Sequence, residues 1–107
     1  MFLGGLSATE QHKDRLSEKD LRVLIATAQT PEQHLQLARH YRAESNEYLK
    51  RQKQHEADAD SYGRTPSRYH PTASQHCRER AYHDGESAKN ALALAEMHEA
   101  MAREGAK

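Results

Sequence analysis

Eight histidines, one cysteine and three methionines are the residues of this 107-residue chain that can hold a metal ion or, for histidine, exchange a proton near neutral pH. Histidine is present at several times its usual share. Imidazole nitrogen suits zinc, copper and nickel, whereas thiolate and thioether sulfur bias a site toward Cu(I) or zinc. The spacing is regular: His34 and His55 lie 21 residues apart, and so do Cys77 and His98, with His76 beside the cysteine. Met101 follows His98 by one helical turn and Met97 precedes it directly, adding soft sulfur.

Several catalytic patterns are excluded. His55 and His98 are each followed by Glu, but the fifth position is Ala59 or Ala102, so neither makes the HExxH of zinc proteases. No histidine has Glu three residues before it, which argues against a di-iron carboxylate bundle. CxxCH, a Gly-rich phosphate loop and GxSxG are all absent. The chain reads as a binding protein and not an enzyme, since polar helices do not readily assemble a nucleophile, a positioned base and a pocket.

The elements that must position these residues are helices. Ser17 is a candidate N-cap, and Leu21, Leu24, Ile25 and Ala28 follow at helical spacing, which predicts a short helix over about 18–28. This is the most apolar stretch, and its expected role is to cover something. Thr30-Pro31-Glu32-Gln33 is a strong start signal: Thr as N-cap, Pro at the first helical position, Gln closing the capping box. A helix rich in Ala, Leu, Glu, Gln, Lys and Arg is predicted over 31–61. Gly63, Pro66 and Pro71 break it, Thr72-Ala73-Ser74-Gln75 repeats the start signal, and a second long helix is predicted over 73–103, ending before Gly105. Residues 1–17 are expected to be a flexible segment and 18–107 a single helical domain.

The two long helices resemble each other. At an offset of 42, Thr30, Gln33, His34, Glu44 and Ser45 match Thr72, Gln75, His76, Glu86 and Ser87; one residue further out of step, His55-Glu56-Ala57 matches His98-Glu99-Ala100. A duplicated helix folded back on itself is the reading. Spacing of three and four selects a seam of His34, Ala38, Tyr41, Ser45, Tyr48, Gln52, His55, Ala59 and Tyr62 on the first copy. On the second it selects Cys77, Ala81, Asp84, Ala88, Ala91, Ala95, His98 and Ala102. Folding the hairpin about residue 66 brings His34 level with His98, and His55 level with Cys77 and next to His76. Two clusters then lie roughly 32 Å apart at about 1.5 Å per residue.

Seam histidines must be hydrogen-bonded, paired or metallated. The metal reading takes His34, His98, His55, Cys77 and His76 as ligands of a copper or zinc ion, with Met101 auxiliary. Each end supplies two or three ligands, so a closed four-coordinate site needs a second chain and hence a homodimer packed as a four-helix bundle. The competing reading is a structural or interaction module whose seam histidines are hydrogen-bonded and respond to pH. His12, His40 and His70 are expected to be solvated, His83 to lie on the seam or its rim, and the charges around Glu44, Glu47, Lys50 and Arg51 to form a solvated face. Cys77 reads as a small buried residue before a reactive thiol; in a secreted protein it could join two chains.

The run Thr-Pro-x-x-His-x-x-Leu-Ala-x-x-Tyr-x-Ala at 30–43, then His55-Glu56-Ala57, His76-Cys77 and His98-Glu99-x-Met101-Ala102, resembles small uncharacterised bacterial helical proteins made with a secretory leader. The resemblance covers about residues 20–104 and carries no activity. It implies an envelope location; Met1-Phe2-Leu3-Gly4-Gly5-Leu6 is not a leader, so the expectation is periplasmic or secreted if a leader was removed and cytoplasmic otherwise. Arg78-Glu79-Arg80 is more polar than the Leu-containing version expected there.

Composition sets the outer limits. Sixteen basic and sixteen acidic residues cancel, so no net field favours nucleic acid or an acidic membrane. No apolar run approaches the roughly 18 residues of a membrane span. With 36% hydrophobic residues, no Trp and one Phe, a deep core is out of reach, and oligomerisation or metal is the expected supplement. Charged residues at 30% and a mean hydropathy of −1.10 approach the disordered range, from which the helical patterning separates the chain. The fold class is therefore all-α: a short N-terminal helix and a long antiparallel helical hairpin, dimerising into a four-helix bundle.

Overall fold

The structure, a computed structural model, describes residues 13–64 and 70–105, with 70 and 71 described by their backbone alone. Three helices account for most of them, and no strand occurs among the described residues: α1 Glu18–Thr27, α2 Pro31–Arg64 and α3 His70–Gly105. His12, the side chain of His70, the expected turn at residue 66 and most of the expected flexible segment 1–17 lie outside the described residues.

The start signals act where hydrogen bonds show them. Ser17 Oγ accepts the Asp20 N–H at 3.1 Å and caps α1. At α2, Gln33 N–H donates to Thr30 Oγ1 at 3.2 Å while Gln33 Oε1 accepts from the backbone N–H of Thr30 and Gln29, a closed capping box. The second start signal is corrected. Helix α3 begins at His70, so Thr72 sits inside it and not at its cap. Pro71 explains this, because a proline in the first turn lacks an N–H that has no helical partner there, and its φ is already helical. At the other end α3 includes Gly105, and no glycine among the described residues has a positive φ, so the expected glycine stop is not what ends the helix.

The chain forms two compact units, residues 1–44 with 91–107, and residues 45–90. In the first, the starting half of α2 runs antiparallel to the end of α3: His34 meets His98, and Pro31 lies against Gly105. Leu37, Tyr41 and Ala95 form its core, and Leu21, Leu24 and Ala28 pack onto them. The apolar short helix thus has the covering role its composition suggests. Half-burying two leucines contributes about 1 kcal/mol each. Residues 14–16 dock on α2 as well. Leu16 N–H donates to His40 Nδ1 at 2.9 Å, Asp14 lies 3.9 Å from Arg39, and Arg15 lies 3.5 Å from Glu44.

In the second unit α2 and α3 pack through small residues. Ala59, Ala81 and Ala88 are buried, with Ser45 and Ser74 among them. Each serine donates its hydroxyl to a backbone carbonyl of the opposite helix at 2.9 Å, Ser45 to Ala88 and Ser74 to Ala59. That reach is possible because alanine lets the helix backbones approach closely. Gly85 serves the same end: a Cβ there would lie 2.8 Å from Gln52 Nε2, so the missing side chain lets Gln52 lie across α3.

Candidate functional site

His34 sits in the first turn of α2, its backbone N–H bonded to the Thr30 carbonyl at 3.1 Å, which fixes where its Cα stands. His98 stands on the last turns of α3. Arg42 and Glu99 join that segment to α2 through two parallel hydrogen bonds of 2.7 Å each. The result is a direct contact, His34 Nδ1 to His98 Nδ1 at 3.0 Å, between half-buried rings. The ring centroids are 5.2 Å apart and the planes differ by 21°. The centroid distance exceeds the nitrogen contact by close to two ring radii, the most that the contact allows, so the rings meet edge to edge and nitrogen faces nitrogen in a nearly common plane.

One proton can occupy the line between those nitrogens. In the neutral pair one ring carries it on Nδ1 and donates; the other presents a lone pair and holds its own proton on Nε2. Two imidazolium rings cannot make this contact. Accordingly the His98 imidazolium is disfavoured and its pKa lowered, first by burial and then by the charge of His34.

Tyr41 extends the cluster. Its ring lies 5.9 Å from that of His98 at an interplanar angle of 10°, and 5.1 Å from His40 edge-on. Burial, and then Glu44, raise the Tyr41 phenol above its ordinary pKa. The Arg42 hydrogen bond holds the Glu99 carboxyl below its ordinary pKa, and Glu99 in turn raises Arg42. His40 was expected to be solvated; it is 1% exposed. Because its Nδ1 accepts a backbone N–H, it is the neutral tautomer with the proton on Nε2, which points toward Glu44 Oε2 at 3.6 Å. Glu44 leaves the solvated face for the same reason, lying between Arg15 and His40. A signal existed: Leu37, His40, Tyr41 and Glu44 follow one another at helical spacing and mark a second buried face, toward α1 and residues 14–16.

The other expected ligands lie elsewhere. His55 Nε2 is 3.6 Å from Asp84 Oδ2, an ion-pair distance that requires a protonated ring and is too long for a hydrogen bond. Asp84 Oδ2 is buried and finds no hydrogen bond among the described residues. His76 is mostly exposed, 3.7 Å from Glu79 on its own helix. Cys77 is a half-buried free thiol. Met101 and Met97 are exposed. His83 belongs to the exposed rim, edge-on to Tyr82. Among the described residues no group of three or more His, Cys, Asp or Glu comes close enough to hold a metal ion, so His55, His76 and Cys77 do not gather into the expected cluster. Being level along a hairpin is not the same as facing inward: His76 is turned outward although its counterpart His34 is not. Ser45 and Ser87, matched in the duplication, also differ, the first buried and bonded to Ala88, the second half-buried.

No helix among the described residues is long and apolar enough to cross a membrane. No protein-family model, characterised protein or solved structure matches this chain. Function must be read from its own residues.

Proposed function

We propose that this chain binds a transition-metal ion, copper or zinc, through His34 and His98, for sequestration or handling and not catalysis. The observation that supports it is the 3.0 Å approach of two Nδ1 atoms from different helices, beside the Thr30 cap of one helix and the Arg42–Glu99 pair that joins the two. The six-residue ligand set thereby contracts to two. Dimerisation into a four-helix bundle belongs to the same proposal; the exposed Leu94, Met97 and Met101 supply apolar area for it, and sedimentation at several concentrations measures it.

A second reading has its own support: the nitrogens already satisfy each other by a hydrogen bond, as a helical scaffold or interaction module without metal requires. Calorimetry of the full chain with Cu(I), Cu(II), Zn(II) and Ni(II) separates the two. Stoichiometric binding that disappears when His34→Ala and His98→Ala are combined supports the metal reading. No binding leaves the scaffold, and binding unchanged in that double variant counts against the His34–His98 site.

A further inference from the structure

We propose that the His34–His98 pair is a two-coordinate site selective for a monovalent soft cation, Cu(I), over Zn(II). This rests on the metal-binding reading above and adds the geometry and identity of the ion.

The direction of the two lone pairs decides between the ions. Two nitrogens that face each other along the line joining nearly coplanar rings present their lone pairs head-on. An ion between them is collinear with both, the arrangement a closed-shell two-coordinate cation takes. Zinc asks for a tetrahedron, in which lone pairs cross at a wide angle and two further ligands complete the shell. Among the described residues no third His, Cys, Asp or Glu joins the pair. Tyr41, 8% exposed, lays its ring close to parallel with His98 at 5.9 Å between centroids.

Distance is the quantity that must change. Metal–imidazole bonds of about 2.0 Å place collinear nitrogens roughly 4 Å apart, so the pair opens by about 1 Å on loading. Both side chains are half-buried, so rotation about their side-chain bonds is the motion that must supply this opening. The proton ledger is simple. In the neutral pair the proton on the bridging Nδ1 moves to Nε2 of the same ring through solvent, both Nδ1 lone pairs become free, and no net proton is released.

The test is competition for Cu(I) between the full chain and a chromophoric Cu(I) chelator, with Ag(I) as a stand-in that undergoes no redox change and Zn(II) measured in parallel. The expected result is one Cu(I) or Ag(I) per monomer and Zn(II) weaker by on the order of 100-fold. X-ray absorption should show two nitrogen neighbours in line. His34→Ala and His98→Ala should each weaken Cu(I) by a similar factor, and His34→Gln and His98→Gln give the same comparison should an alanine variant lose helicity by circular dichroism. Met101→Leu should leave affinity within about two-fold. Zn(II) binding as tightly as Cu(I), a third or fourth ligand in the absorption spectrum, or a large loss in Met101→Leu overturns two-coordinate selectivity while metal binding stands. Absence of any binding, or Cu(I) affinity unchanged in both histidine variants, overturns both readings.

Discussion

A histidine lies between the long helices in each compact unit, and the two meet different fates. In the unit of residues 1–44 and 91–107, His98 faces another imidazole at 3.0 Å. In the unit of residues 45–90, His55 faces a carboxylate at 3.6 Å. The surroundings differ too. The first unit has large buried side chains, Leu37 and Tyr41, roofed by α1; the second is held by alanines and two serine hydroxyls. What an imidazole can do is thus set by what lies opposite and by how firmly the surrounding helices are held. The well-packed unit brings two nitrogens into contact, and the thinner one leaves its imidazole and carboxylate beyond hydrogen-bond distance.

The largest test of this contrast is in packing. Leu37→Ala empties the fully buried centre of the first unit and should cost about 3 kcal/mol by urea unfolding. Ser74→Ala, which removes a buried hydrogen bond from the second unit, should cost about 1 kcal/mol. Equal costs, or a larger one for Ser74→Ala, would break the comparison.

A smaller effect comes from pH. His98 is more easily protonated in the unfolded chain than in the folded one, since burial and His34 lower its folded pKa. The unfolded state therefore takes up the proton first as pH falls below about 6.5, so stability is full above that value and declines toward the folded pKa. The urea midpoint should drop between neutral and mildly acidic pH, with a gentler slope in His98→Gln. An identical slope in that variant would place the acid sensitivity elsewhere.

The smallest effect sharpens the picture of the second unit. Gly85→Ala gains helix propensity, and the new Cβ meets only the movable end of Gln52. A net stabilisation of up to about 1 kcal/mol in a thermal melt is expected. A loss of that size would mean Gln52 is a fixed part of the seam.

Much of this was legible in the residue pattern. Three- and four-residue spacing identified the buried Ala38, Tyr41, Ser45 and Ala59 of α2 and Ala81, Ala88, Ala91, Ala95 and Ala102 of α3, and counting back from the turn brought His34 to His98. What failed did so for identifiable reasons. Ser74 looked like part of a helix start, yet it continues the Ala81–Ala88 seam seven residues back. His40 looked solvated because the short helix and residues 14–16 have no counterpart in a two-helix pattern; where they land is a tertiary choice. The His55, His76 and Cys77 cluster failed because rank along a helix fixes height and leaves open which way a side chain turns.

The bond from Leu16 to His40 has a consequence of its own. The ring grips the main chain and is blind to the side chain that main chain bears. What this bond asks of position 16 is an amide hydrogen, and proline is the one natural residue that could not supply it.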